Sequence, residues 1–121
     1  MSSSAAPEPS AASAARVVFV TAPDLAVARR LARELVGGRI AACVNLVEGL
    51  TSIYRWKGAV EEEREVLLVV KTSAKRVPAL EAHLARHHPY EVPECVALEP
   101  ASVAPAYLAW LLDACAERAE G

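Results

Sequence analysis

Residues Val60–Thr72 have the sequence VEEEREVLLVVKT, and the segment Val66–Val70 at its centre is an unbroken run of Val and Leu. Such a run predicts a strand that is covered on both faces. The preceding segment Ile40–Tyr54 has the pattern of a second long strand, and Trp56–Ala59 between the two indicates a hairpin turn. Gly49 predicts a bend or bulge in the first strand of this hairpin. A long hairpin is therefore the element around which the rest of the chain is arranged.

The segment before the hairpin predicts a strand followed by a helix. Arg16–Thr21 is a short β-branched run, consistent with a buried strand. Asp24 suits the N-cap of a helix, and Gly37-Gly38 suits its C-terminal end. Between these signals, apolar residues recur at helical spacing, at Leu25, Ala28, Leu31, Ala32 and Leu35.

The segment after the hairpin predicts a helix, a strand and a last helix. Pro78 suits a first helical turn, and Pro89 is incompatible with a continuing helix. Val92–Glu99 indicates a fourth strand, after which Ser102 is predicted to cap the last helix. The apolar stripe of this last helix consists of Ala104, Leu108, Leu111, Leu112 and Cys115.

The resulting order, β-α-β-β-α-β-α, predicts an α+β fold: a ferredoxin-like βαββαβ unit plus a C-terminal helix. This fold leaves one sheet face open, and copies of the same chain are the simplest cover for it. The high apolar content, 54% with only 5% aromatic residues, also favours an oligomer. We assign residues 16–118 to the ferredoxin-like domain and residues 1–15, rich in Ala, Ser and Pro, to a disordered N-terminal tail.

Charge and cysteine content exclude several function classes. The net charge of −2 over 121 residues, with both signs interspersed, gives no basic patch for nucleic acid. No apolar run is long enough to span a membrane, and the N-terminal tail lacks the features of a secretory signal. Three widely spaced cysteines without a CxxC pair favour free thiols and a cytoplasmic location.

The run His87-His88-Pro89-Tyr90-Glu91 is the strongest candidate site. Paired imidazoles suit Cu(II), Zn(II) or Ni(II). Adjacent side chains point in different directions, however, so neighbouring subunits or Glu91 would have to complete such a site. The alternatives are a structural corner whose histidines bond the end of the preceding helix, or a small-ligand pocket lined by Tyr90 and Glu91.

Two features of the hairpin allow similar alternatives. Trp56 and Tyr54 favour a subunit contact, with local packing as the alternative. The glutamates of the returning strand favour a solvated edge, with cation capture as the alternative.

Several motifs in the same order resemble the CutA divalent-cation-tolerance family, over about Val17–Cys115. The matching segments are Thr21-Ala22-Pro23, Arg39–Leu46 (RIAACVNL), Thr51–Gly58 (TSIYRWKG), Val70-Lys71-Thr72, His87–Glu91 and Tyr107–Trp110 (YLAW).

The resemblance implies a ferredoxin-like homotrimer with a cytoplasmic, non-enzymatic role in tolerance of, and response to, divalent metal ions. The implied partners are other copies of the chain and the ions themselves, Cu(2+) first and Zn(2+) as another candidate, with no metal required for folding. The implied copper ligands include His87 and His88. A cysteine ligand of bacterial members corresponds to Val20, which has no donor atom.

Two other classes of function remain as alternatives. The first is a PII-like regulatory trimer that binds a small metabolite in clefts between subunits. The sequence shows neither a long effector loop nor a Gly-rich phosphate cradle to support it. The second is an enzyme, but no Ser-His-Asp or Cys-His set stands out by spacing, and fold analogy alone does not imply catalysis.

Overall fold

The structure is a computed structural model and describes residues 11–118. The strands are β1 (Ala15–Ala22), β2 (Cys43–Trp56), β3 (Ala59–Ser73) and β4 (Val96–Leu98). The α-helices are α1 (Leu25–Gly37), α2 (Val77–His87) and α3 (Pro105–Ala114), and short 3-10 helices lie at Ala11–Ala14 and Ala74–Arg76. This is the element order that the sequence predicts, β-α-β-β-α-β-α.

The four strands form one antiparallel sheet in the order β2-β3-β1-β4. β1 and β2, the strands joined by α1, are separated by β3, as in a split β-α-β unit. β1 therefore pairs on one side with β3, in a register that opposes Ala15 to Ser73 and Ala22 to Val66. On its other side it pairs with β4, where Phe19 opposes Val96. The mixed α+β prediction is confirmed.

One face of the sheet carries the main core. Asp24 caps α1 as predicted, since its Oδ1 accepts a hydrogen bond of 2.9 Å from the amide of Val27. Helices α1 and α2 then pack their apolar residues against the even-numbered positions of β1 and β3. The members of this core that are essentially without solvent contact are Val18, Val20, Ala22, Ala28, Leu31, Leu35, Ala41, Leu68, Val70, Leu80 and Leu84.

A bulge divides the long hairpin, as Gly49 predicts. The β2–β3 register shifts between Val47 and Leu50, and Gly49 has a φ of +81°. At the tip, Lys57 and Gly58 both have positive φ, at 48° and 81°, the combination that a two-residue type I′ hairpin requires. We refer to residues 50–65, beyond the bulge, as the hairpin arm; most of its side chains are exposed.

The second face of the sheet is covered only in part. At one end, α3 packs Leu108, Leu111 and the following Cys115 against Ala15 and Ala42. Further along the face, several apolar side chains lie outside both clusters of buried core residues and are at least partly exposed, among them Val17, Phe19, Val47, Leu67, Val69, Val96 and Leu98.

The first three strands lie within three residues of their predicted bounds, with β2 starting at Cys43 rather than Ile40, and three other features differ more. Ala11–Ala15, predicted to be part of a disordered tail, form a 3-10 helix and the first residue of β1, with Ala12 and Ala15 buried; residues 1–10 of that tail lie outside the described part. β4 has three residues rather than eight, because prolines at positions 93 and 100 lack the amide that a ladder needs. Helix α3 starts at Pro105 without a side-chain cap, so Ser102 is not its N-cap.

None of the three cysteines, all of which lie in the described range, forms a disulfide. Between residues 11 and 118, no helix is long and apolar enough to cross a bilayer.

Candidate functional site

The two adjacent histidines lie at the C-terminus of α2, where the backbone changes direction. His87 is the last helical residue, and His88 is the C-cap, with an extended backbone (φ −82°, ψ 139°). The following Pro89 disfavours a helical conformation at His88, so the chain turns at this position. As a result the imidazole of His87 is exposed, whereas His88 is only 8% exposed.

The His88 ring uses both of its nitrogens inside the protein. Its Nε2 lies 2.7 Å from the carbonyl oxygen of Thr21 at the end of β1, so Nε2 carries the hydrogen and donates it. Its Nδ1 accepts a hydrogen bond of 3.0 Å from the amide of Tyr90. A metal ion could reach His88 only by displacing one of these bonds. The structure thus gives the two predicted ligands different environments.

Tyr90 and Glu65 continue this buried network. The Tyr90 hydroxyl donates a 2.7 Å hydrogen bond to Glu65 Oε2, and the Tyr90 ring packs 4.7 Å from the His88 ring, centre to centre. Burial, followed by the Glu65 carboxylate, raises the pKa of Tyr90 well above its usual range, so the phenol stays a hydrogen-bond donor. The corner formed by residues 87–91 is thereby bonded to β1 through Thr21 and to β3 through Glu65.

A cleft of about 860 Å³ lies between this corner and the hairpin arm. It has aromatic walls and a carboxylate-rich lining, and among residues 11–118 only Lys57, 3.8 Å from Glu91, forms an ion pair with one of these acids. Burial and the Glu65 carboxylate raise the pKa of Glu94. The main lining residues are Thr21, Ser52, Ile53, Tyr54, Trp56, Glu61, Glu63, Glu65, Pro89, Tyr90, Glu91, Val92 and Glu94.

Val20, which stands where the resemblance implies a cysteine ligand, is completely buried on the face that α1 and α2 cover. It packs within the aliphatic core and opposes Leu68 of β3. Neither of its neighbours along β1 supplies a sulfur ligand. This end of the strand therefore contributes a carbonyl, that of Thr21, which His88 already occupies.

The structure places a third histidine, His83, beside His87, and this residue is not among the ligands predicted from the sequence. His83 lies one turn earlier on α2, and the two ring centres are 4.4 Å apart. His83 Nε2 donates a 2.8 Å hydrogen bond to Glu34 Oε1 on α1, which, ahead of the other causes, lowers the pKa of the Glu34 carboxyl. The i,i+4 spacing was the signal available in the sequence. Within residues 11–118, no three His, Cys, Asp or Glu side chains form a ready metal cage.

Comparison with known proteins gives consistent matches. The profile of the family described as "CutA1 divalent ion tolerance protein" matches residues 16–114. The "Divalent-cation tolerance protein CutA" of Thermus thermophilus is 53% identical over 95 residues, 78% of this chain and 92% of that protein.

Mouse "Protein CutA" is 50% identical over 93 residues, 77% of this chain, but the match spans only 52% of the mouse protein. The crystal structure of CutA1 from Oryza sativa superimposes on this chain with a TM-score of 0.84 at 38% sequence identity. The match covers 90% of this chain and all of that one.

Proposed function

The chain belongs to the CutA1 divalent ion tolerance family, and on that basis we propose that it is a non-enzymatic homotrimer that binds divalent transition-metal ions through the end of α2. The names of its relatives describe a tolerance protein, and nothing points to catalysis. The observation that carries the proposal is the exposed imidazole of His87, next to a His88 ring that is held by internal hydrogen bonds.

In this proposal the two predicted ligands have different roles. His87 provides the nitrogen that contacts the ion, and it lies at the C-terminus of α2, where the helix dipole favours positive charge. His88 fixes the direction of the chain at that point through Thr21 and Tyr90. We propose Cu(2+) as the preferred ion, because copper stands above nickel and zinc in affinity for a given nitrogen site.

Calorimetric titration with Cu(II) and Zn(II) at neutral pH tests the metal site. We expect His87→Ala to weaken copper binding by at least about tenfold. Arg86→Ala, which truncates the adjacent exposed side chain, serves as the matched control and should bind as the parent protein does. If His87→Ala titrates as the parent protein does, the assignment of His87 is wrong.

Uncovered apolar surface supports the proposed trimer. The hairpin arm projects beyond the helices with Ile53 67% and Val60 66% exposed, and a two-stranded ribbon is marginally stable without cover. The partly covered sheet face adds a second apolar surface, so copies of the chain have both a face and an arm through which to pack. Light scattering after size exclusion should give three times the 12.9 kDa chain mass; a monomer would refute the assembly.

The cleft supports a second candidate, a regulatory trimer that binds a small metabolite. Tyr54, Trp56 and Tyr90 give it aromatic walls, and its net negative lining favours a cationic molecule over a nucleotide. A thermal-shift screen that compares organic amines with organic anions tests this candidate. Stabilisation by amines that Trp56→Ala abolishes would support it, and no stabilisation by any compound would exclude it.

We also propose a cytoplasmic location, because all three cysteines remain free thiols and a reducing compartment preserves them. Cell fractionation tests this directly; recovery in an oxidising compartment would refute it.

A further inference from the structure

We infer that His83 and His87 together form a two-imidazole chelate for Cu(II) on the outer face of α2, an inference that rests on the proposed function and names the second ligand of its site. The two residues are one helical turn apart, the spacing at which side chains on a helix meet. Their ring centres are already 4.4 Å apart, with the planes tilted by 39°. Side-chain rotation alone can therefore turn a nitrogen of each ring toward one ion, with metal–nitrogen distances of about 2.0–2.1 Å.

The accessibility of the two rings suits an ion that enters from solvent. The His87 side chain is exposed, and that of His83 is 15% exposed, so both have contact with solvent. His88 cannot replace His83 in this role, because both of its ring nitrogens are bonded internally. His83 uses only Nε2 in a hydrogen bond, to Glu34, so His83 and His87 are the pair in which each ring keeps a nitrogen outside the hydrogen bonds of residues 11–118.

The charges around the pair also accept a cation. The carboxylate of Glu34 lies 2.8 Å from His83 Nε2 and places an acidic group beside the two rings. Arg30 partly offsets this charge, since it contacts both Glu34 oxygens at 3.3 Å and the His87 carbonyl at 2.8 Å. Arg30 thus bonds the Glu34 carboxylate and the backbone at the end of α2, and in these bonds it does not contact the imidazole nitrogens.

Binding needs no redox step. If His83 binds through Nε2, its proton moves to Nδ1 by exchange with water, and the carboxylate of Glu34 loses that hydrogen bond and becomes a counter-charge beside the ion. Two nitrogens from the protein and water in the remaining positions suit the tetragonal geometry of Cu(II). They do not satisfy a structural zinc site, which takes four protein ligands. We therefore expect Cu(II) to bind more tightly than Zn(II).

The test titrates the parent protein with Cu(II) beside His83→Ala, His87→Ala and the double variant Ala82→His/His83→Ala. The double variant keeps the histidine count but moves one imidazole to i,i+5, off the shared face. Ala82 is exposed, so the added ring has room. We expect each variant to bind Cu(II) at least about tenfold more weakly than the parent, because each removes the intramolecular second ligand.

The outcomes separate this inference from the proposed function. Weakening in all three variants, with electron paramagnetic resonance showing two nitrogens on copper in the parent and one in the variants, supports the chelate. Weakening in His87→Ala alone overturns the chelate and leaves the proposed metal site standing. Unchanged binding in every variant overturns both.

Loss of His83 removes its hydrogen bond to Glu34, so each variant is first checked for parent-like circular dichroism and mass in solution. Glu34→Gln is the control for an effect on copper binding that comes only from disturbing the His83–Glu34 contact, because it removes the carboxylate and keeps both imidazoles. Its copper spectrum should still show two nitrogens; a spectrum with one would overturn the chelate.

Discussion

Replacing His88 with alanine removes a ring that joins the end of β1 to the chain after α2. The variant leaves the Thr21 carbonyl and the Tyr90 amide without their partner at a site that is 8% exposed. An unsatisfied buried polar group costs about 1–3 kcal/mol. Because water can reach the half-buried Tyr90 amide more easily than the Thr21 carbonyl, we expect a total loss of about 3 kcal/mol in the free energy of unfolding.

Urea unfolding followed by circular dichroism at neutral pH measures this loss, with all proteins at one concentration because assembly is linked to stability. His87→Ala is the matched control: the same residue type one position earlier, but exposed, with an expected change within about 0.5 kcal/mol. Equal midpoints and slopes for the two variants would refute the structural role given to His88. They would also remove the reason for separating the two histidines into a positioning residue and a ligand.

Three further changes test other parts of the structure. Tyr90→Phe should cost about 1–3 kcal/mol in urea unfolding, since it leaves the buried Glu65 carboxylate without its donor; a neutral result would mean that water replaces the hydroxyl. Gly49→Ala should cost about 1 kcal/mol through its φ of +81° alone, because nothing lies within 4 Å of the added methyl, whereas Gly37→Ala, equally open but without positive φ, should be neutral or stabilising. Glu34 has a lowered pKa in the folded state, so its contribution is present above pH 4.5 and is lost as the pH falls through the folded value. Glu34→Gln should therefore lower the stability by about 0.5 kcal/mol at pH 7 and by less as the pH falls below 4.5, and a pH-independent difference would contradict this.

The sequence predicts most of the architecture because its signals are local and strong. Asp24 marks the cap of α1, Gly49 marks the bulge in β2, and Pro78 marks the first turn of α2. Each signal acts through local backbone chemistry that needs no tertiary contact. The length of β4 depends instead on pairing with β1 and could not be read from its own residues. Ser102 has the right chemistry for a cap, but Pro105 already supplies a residue without an amide at the start of α3.

The candidate site was harder to predict because it depends on tertiary contacts. Adjacent positions in sequence made His87 and His88 look like a pair, and only the turn at Pro89 shows that one is inside and the other outside. The cleft, likewise, requires the arm and the corner to meet, which no single segment encodes. His83 carried a usable signal, its one-turn spacing from His87, but its link to Glu34 crosses from α2 to α1.

The central position of β1 in the sheet has a consequence for the order of folding. β1 is made first, yet its partner positions in β3 follow roughly fifty residues later, and those in β4 later still. At about 5–20 residues per second, the ribosome leaves the apolar segment Val17–Val20 without a partner strand for several seconds. The β2–β3 hairpin can form only once β3 has been made, which is also when β1 gains its first partner strand, and β4 can join β1 only afterwards. During synthesis, β1 is therefore an apolar strand whose unpaired edges are open to wrong partners until β3 has been made.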